Sequence, residues 1–466
     1  MKRATTAIVI GGSISGLLCA RVLADQFDEV RVLERDLPGE RSAPRKGAPQ
    51  GRHAHVWMAS GLRALEELFP GLHDELVADG AVPTDLGRDV RWYVGGGYHA
   101  RSEGIESLQM SRPGLETRLR DRVEQLDNVL ILSATAVESL AFDAGEERVT
   151  GVFVQGFDEA MSADLVVDAT GRGSRTPRWL ESLGMPAPQE ETVRTDLGYT
   201  TQVFQRSPLG IDGDLAVAVV PDAPGRRGGF VVAAEDNRWF VTLAGMHGDH
   251  PPTDAEGFLD FAASLPVRDI HDAIVDAKPL SEPVAFRFPA NRRWRYDRLR
   301  RFPSGYLVFG DAVCSLNPIY GQGMSVVALQ AIALRDCIAR GGRKLAPRFF
   351  KAALQVLKTP WMMAVNNDAR YPEARGRRTL RERIVAAYLR RLHVAARRVP
   401  AVAHAFLRTA NLLTSPYHLL RPRVLRALFA RGGSNAIPHR SLPPGPTPQF
   451  QRVLIPAHAT VSQRRK

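Results

Sequence analysis

The chain has 466 residues, 44% of them hydrophobic and 24% charged, which describes a globular protein with more than one hydrophobic core and excludes disordered or collagen-like chains. Three cysteines (Cys19, Cys314, Cys337), no Cys/His cluster with zinc-like spacing and no apolar run long enough to span a bilayer argue against a disulfide framework, a structural metal and an integral membrane protein. The net charge of +12 is uneven, because residues 341–466 carry 25 Lys+Arg against 3 Asp+Glu while the remainder carries 37 against 47.

In chain order, Ala7–Ile10 is a predicted strand, followed at once by Gly11-Gly12-Ser13-Ile14-Ser15-Gly16 and a helical run over Leu17–Leu23. Against the Gly-x-Gly-x-x-Gly pattern the first and last glycines are present and Ser13 stands for the middle one. Gly11 permits the tight turn, Gly16 permits close helix–strand packing, and Ser13 is small enough for backbone to approach a pyrophosphate. A second strand, Val30–Leu33, ends in Glu34, eighteen positions beyond Gly16, with Arg35 beside it. An acid there is placed to accept hydrogen bonds from a ribose, so the whole unit predicts dinucleotide binding. With the first strand beginning near Ala7, no signal peptide is expected, and the cysteine usage points to a reduced, cytoplasmic setting.

The next segment, Arg45-Lys46-Gly47-Ala48-Pro49-Gln50-Gly51-Arg52-His53-Ala54-His55, reads as a basic loop with paired histidines. Ser111-Arg112-Pro113-Gly114 opens a polar helix, where Arg112 is a candidate phosphate partner or a plain surface arginine. Asp164–Arg175 is a middle segment with an apolar stretch, Asp168 and Gly171-Arg172-Gly173. Over about 195–290 the pattern changes to strands at Tyr199–Phe204, Leu215–Val220, Gly229–Ala234 and Trp239–Ala244, then helices at Asp254–Ser264 and Ile270–Ala277. Phe204, Phe230, Trp239 and Phe240 are candidate cavity walls, and Arg292–Tyr296 reads as a charged loop.

Tyr306–Phe309 is a buried-strand pattern, and it leads into Gly310-Asp311 and the proline-bearing loop Ala312–Gln322. A Gly321-Gln322-Gly323 turn then opens a helix over Met324–Ile338. Helix-start N–H groups would favour an anion, and Asp311 can accept hydrogen bonds from sugar hydroxyls. Beyond it, Thr379–Ala396, Ala401–Leu413 and Tyr417–Phe429 alternate arginines with apolar residues at helical spacing, before a proline-rich stretch at Ser441–Pro448. These helices either lie on an anionic membrane surface or cap the rest of the protein. Nucleic-acid binding is not expected, since no recognisable module or stacking-aromatic pattern is present.

Joined, the two glycine motifs resemble the FAD-binding fold of the para-hydroxybenzoate hydroxylase and squalene epoxidase group, the class A flavoprotein monooxygenases, over roughly residues 5–340. The expected fold is α/β: a Rossmann-like FAD-binding domain with an inserted β-sheet substrate domain and a helical C-terminal region. The expected divisions are 1–190 and 291–345 for the FAD-binding domain, 191–290 for the substrate sheet, 346–440 for the basic helices and 441–466 for the tail. The resemblance implies that Gly11, Gly12, Ser13, Ser15, Gly16, Glu34, Arg35 and Arg112 hold the ADP half of FAD. It gives Asp168, Gly310, Asp311 and Met324 to the cofactor as well, with Pro318, Gly321, Gln322 and Gly323 around the flavin ring.

The basic loop resembles a segment of bacterial epoxidases acting on polyene chains, which sets Arg45, Gln50 and His53 against the flavin edge. Two departures stand out: Cys314 replaces the usual histidine after Gly-Asp-Ala-Val, and Asp164–Arg175 lacks the adjacent Asp-Gly linked to NAD(P)H use. By the resemblance, reduced FAD reacts with O2 at C4a, and the hydroperoxide passes one oxygen to an electron-rich carbon. The reading favours epoxidation of a hydrophobic polyene, isoprenoid or polyketide, with NAD(P)H or a separate flavin reductase supplying electrons. Phenol hydroxylation, prenyl-chain reduction without O2, and a non-catalytic flavoprotein at a membrane surface stay open. No Trp-x-Trp-x-Ile-Pro-like segment supports a halogenase.

Overall fold

The computed structural model describes residues 5–37, 49–207, 211–342, 344–374 and 380–429. Arg45, most of the basic loop before Pro49 and the proline-rich tail therefore lie outside the described residues.

The first strand, Thr6–Ile10, is flanked by Glu29–Leu33 on one side and Leu165–Asp168 on the other. Val129–Leu132 and Tyr306–Val308 complete a five-stranded parallel sheet. Its strands are continuous apolar runs because helices cover them, and Ile14–Ala24 is buried almost all round between the sheet and Gly323–Ala339. In such sheets ligands sit beyond the carboxyl ends of the strands. Here those ends deliver Gly11, Glu34, Ala169 and Gly310-Asp311 to one edge.

A seven-stranded sheet stands beside it, built from Glu190–Gln205, Ala216–Val219, Arg227–Ala234, Arg238–Gly245 and Val284–Trp294. Two strands from elsewhere close its edges. Val90–Tyr93 pairs in parallel with Ala216–Val219, and Cys314–Ser315 pairs with Arg292 and Arg293. Arg292–Trp294 is thus strand rather than the expected loop; Arg293 and Arg295 both pair with Glu191, and Arg295 also with Asp297, so the charges do not force the segment into solvent.

Strand alternation sorts the side chains of this sheet. Phe204, Val231, Ala233, Trp239, Val241 and Leu243 pack against Ala255–Ala263 and Asp269–Ile274. The opposite face presents Tyr199, Phe230, Val232, Thr242, Ala244 and Phe286 to a cavity. Phe240 shares that face with Thr242 and Ala244, but of the four aromatic wall candidates only Phe230 lines the cavity.

The helices Leu380–Ala396, Pro400–Ala410 and Pro422–Phe429 share an apolar core of Leu392, Ala396, Val402, Ala403, Leu419 and Val424. They also pack onto the rest of the chain: Leu407 joins Leu86, Val90, Ile105, Ala216 and Val232, Asn411 accepts from the Ala59 amide at 3.2 Å, and Ala396 accepts from the Ala100 amide at 2.8 Å. These contacts make them cap the rest of the described chain. Among the described residues no helix is long and apolar enough to cross a membrane.

Candidate active site

One cavity of about 1550 Å³ runs from the carboxyl ends of the parallel strands to the face of the large sheet and the C-terminal helices. Ligand sites usually measure about 300–1,000 Å³, so this volume has room for a dinucleotide and a second molecule.

At one end the wall is the glycine turn. Gly11 has φ +102°, and a Cβ there would stand 2.9 Å from the Ala169 carbonyl oxygen. Gly16 is tighter still, since a Cβ would lie 1.7 Å from the Gly11 carbonyl oxygen, so it seats the helix on the strand and does not line the cavity. No side chain caps the helix at Ser13, whose hydroxyl instead donates to Glu116 at 3.0 Å and accepts from Arg112 at 3.2 Å. The helix start therefore faces the cavity with its positive end uncapped by protein side chains. Glu34 is buried, and its carboxylate accepts from the Gly12 and Asp36 amides, both at 3.0 Å. Arg35 also lines this end and is mostly exposed.

A second helix start meets the cavity from the other side. Asn317 caps the short turn Pro318–Tyr320, which Gly321 closes at φ +65° before Gln322 and Gly323 open the next helix without a side-chain cap. The turn rests on a buried network. Asp368 accepts from Asn291 at 2.5 Å, from Tyr320 at 2.7 Å and from Asn317 at 3.2 Å. Burial pushes its carboxyl up to about 6, against the pull of those three donors. Pro318, Gly321, Gln322, Gly323 and Met324 all line the cavity, and the buried Gln322 Oε1 has no hydrogen-bond partner among the described residues.

Asp311 lies between the two helix starts. Desolvation raises its carboxyl above the ordinary range, while the guanidinium groups of Arg112 and Arg172 pull the other way. A half-buried, largely desolvated acceptor lining the cavity fits a ligand carrying hydroxyl donors. Gly310 is set back from the cavity, where φ +67° and the adjacent Ser15 hydroxyl leave no room for a Cβ. Asp168 differs from expectation. It is fully buried and does not line the cavity, because its carboxylate is spent on the Thr170 amide and on the Thr170, Ser174 and Thr176 hydroxyls. It holds a turn and presents nothing to a ligand.

Gln50 and His53 reach the cavity from the turn Pro49–Arg52. His53 sits edge-on to Tyr199, with centroids 4.6 Å apart, and its Nδ1 is 2.8 Å from the Thr201 hydroxyl. Sequence reasoning missed Thr201, Thr242, Tyr199 and Phe286 around it, as well as Arg172, whose guanidinium donates to the Ala290 carbonyl and lies over Phe288. It also missed the C-terminal lining by Val385, Tyr388, His393, Phe406 and Leu407. No local signal marks these residues, since every one acts across a long stretch of chain.

The arrangement fits FAD. Two helix starts without a side-chain cap, a buried acid at the end of the second strand, a half-buried acceptor between them and glycines where a Cβ would intrude form a cradle for a pyrophosphate, a ribose and a polyol. Comparison with known proteins agrees. A model of the FAD binding domain family matches residues 4–341. Protein Rv3254 of Mycobacterium tuberculosis is 36% identical over 430 residues, covering 88% of this chain and 90% of the relative. Kynurenine 3-monooxygenase of Salinispora arenicola is 26% identical over 374 residues, 76% of each chain. Among solved structures, p-nitrophenol 4-monooxygenase of Pseudomonas putida superposes with a TM-score of 0.62 at 18% identity, covering 88% of this chain and 99% of that one. PqsL, a probable FAD-dependent monooxygenase of Pseudomonas aeruginosa, gives 0.60 at 18% identity, covering 79% and 98%.

Proposed function

The chain belongs to the FAD binding domain family and is an FAD-dependent monooxygenase; from that premise we propose that it epoxidises an alkene in a hydrophobic polyene, isoprenoid or polyketide. The observation that carries the reading is the largely apolar chamber facing the second helix start, where Tyr199, His53 and His55, of the titratable groups among its described lining, are poor bases for a phenol. Tyr199 is held protonated by burial, and burial together with neighbouring positive charge keeps His53 and His55 far below the ordinary histidine range. Oxygen transfer to an alkene needs no such base, whereas phenol hydroxylation benefits from one.

In this reading Gly11, Gly12, Ser13 and the helix start behind them bind the pyrophosphate, Glu34 the ribose and Asp311 the polyol hydroxyls. Arg112, 3.2 Å from the Ser13 hydroxyl, adds positive charge at that end. Bound FAD, reduced by NAD(P)H, supplies the activated oxygen derived from O2. The backbone from Pro318 to Gly323 holds the ring system, and its helix start stabilises negative charge there. Phe230, Val232, Phe286, Phe406 and Leu407 exclude water and hold the substrate by burial.

Aromatic hydroxylation is the second reading, favoured by the names of the kynurenine 3-monooxygenase and p-nitrophenol 4-monooxygenase relatives. The test supplies purified holoprotein with NAD(P)H and isotopically labelled O2, and offers linear polyenes and phenols in parallel. Label in an epoxide supports the proposal, and label in a ring hydroxyl replaces it with the second reading. Turnover that proceeds without O2 refutes both.

A further inference from the structure

Away from the nucleotide end, the cavity passes between the helix Leu380–Ala396 and the turn Pro416–Leu420, where Glu382, Val385, Tyr388, Tyr417 and Leu420 line it. The Tyr388 hydroxyl donates to the Leu419 carbonyl at 2.5 Å, which ties the turn to the helix. Tyr417 is 73% exposed and Leu420 50%, so this part of the lining is also protein surface and marks a mouth.

The rim of that mouth is both apolar and basic. Along Leu380–Ala396, Leu392 and Ala396 face the core of the helical cap. Leu380, Ile384, Arg391 and Val394 recur at helical spacing on the opposite face. Twelve large apolar side chains are exposed among the described residues, and five of them (Leu380, Ile384, Val394, Tyr417 and Leu420) fall between positions 380 and 420. Clustering of this kind marks an interaction surface, whereas single exposed apolar residues need no explanation. Arg383, Arg390 and Arg391 on the helix and Arg421, Arg423 and Arg426 after the turn are exposed as well. Residues 380–429 contain ten arginines and one acid, Glu382, so the region is strongly positive.

We propose that this face docks on an anionic lipid surface, with Leu380, Ile384, Tyr417 and Leu420 among the acyl chains and the arginines at the headgroups. The cavity mouth then opens into the bilayer. Exposed apolar side chains interleaved with arginines, with almost no acid among them, match the chemistry of that boundary. The docking stands on the exposed face alone. The route it provides, a hydrophobic substrate passing from lipid into the chamber, rests on the substrate reading above. Capping and docking are compatible, since the helix Leu380–Ala396 buries one face in the protein and presents the other outward.

The test sediments full-length holoprotein with phosphatidylcholine vesicles prepared with or without phosphatidylglycerol. Binding to the anionic vesicles should be at least about 10-fold tighter and should weaken in high salt. Ile384→Glu should lower that binding about 10-fold and leave the melting temperature unchanged, because the side chain is exposed. Tyr417→Trp places an indole at the mouth, and lipids with brominated chains should quench the fluorescence it adds to that of the unsubstituted protein. Equal binding to both vesicles overturns the proposal. So does binding to neither, which would make an acidic protein surface the occupant. Binding that survives Ile384→Glu, or an added indole that stays unquenched, also overturns it, because another basic surface then carries the adsorption. None of these readouts involves turnover, so their failure is distinct from failure of the epoxidation reading, which the labelled products decide.

Discussion

The nucleotide end of the cavity and the chamber at its other end are built on different principles. At the nucleotide end the main positions are set by strand termini: Glu34 meets Gly12 across one strand–helix–strand unit, and Asp311 closely follows its strand, with Arg112 and Glu116 the exceptions that reach Ser13 from afar. In the chamber, His53 meets Thr201 148 positions away, and Phe406 and Leu407 arrive from helices beyond residue 400. The first region is fixed by backbone geometry and tolerates no added atom. The second is fixed by side-chain packing and can exchange one apolar shape for another.

Four substitutions or conditions would break or sharpen that contrast. Gly16→Ala should have the largest effect, since its methyl must displace the Gly11 carbonyl; a loss of about 3–5 kcal/mol, or no soluble holoprotein, is expected in thermal unfolding. An unchanged melting temperature would show that the turn yields. Asp311→Ala should weaken FAD binding about 10- to 100-fold, read by equilibrium dialysis, while the apoprotein stays as stable as before because the carboxyl is desolvated there. Equal loss of apoprotein stability would make Asp311 a structural residue like Asp168.

Phe230→Ala should leave the FAD affinity unchanged and raise KM for a hydrophobic substrate about 5- to 30-fold, in line with about 1–2 kcal/mol of lost burial. The smallest effect is a pH slope. His53, His55, His99 and His393 have folded values near 4, 3, 3 and 4, each below the ordinary 6.5. The unfolded chain therefore binds more protons between about 6.5 and 3, so their stabilising contribution is complete above that window and falls as pH drops through it. Asp368, raised to about 6, opposes the trend, because its folded form holds a proton over part of the same range. Replacing His99 with Gln should flatten the acid limb of an unfolding curve by less than about 1.4 kcal/mol per pH unit. A limb unchanged in slope would place that titration elsewhere.

Legibility followed the same division. The parallel strands at Thr6–Ile10, Glu29–Leu33 and Tyr306–Val308, both glycine turns and the acid at Glu34 were readable, because each is a short pattern whose geometry is set by its own neighbours, whereas Val129–Leu132 was not. Asp168 was misread although its partners Thr170, Ser174 and Thr176 lie within eight residues; a motif position does not tell a carboxylate turned inward from one turned to a ligand. The positions of the sheet strands were readable, but which face met the cavity was not. Trp239 and Phe240 are neighbours pointing opposite ways, and only the helices packed behind the sheet decide between them. The arginine-rich helices showed their amphipathic spacing without showing that Leu407 and Asn411 would anchor them to residues around 59–105.

The edges of the large sheet bear on how such proteins could diversify. Because Val90–Tyr93 pairs along one margin and Cys314–Ser315 along the other, the substrate face is not a cassette that can be cut at 191 and 290 and grafted between relatives. A chimera exchanged at those junctions would inherit both margins and the roof from the wrong parent. Exchange of selectivity by recombination would have to carry Val90–Tyr93 and the terminal helices along with the sheet, whereas point substitution at the cavity face leaves every seam intact.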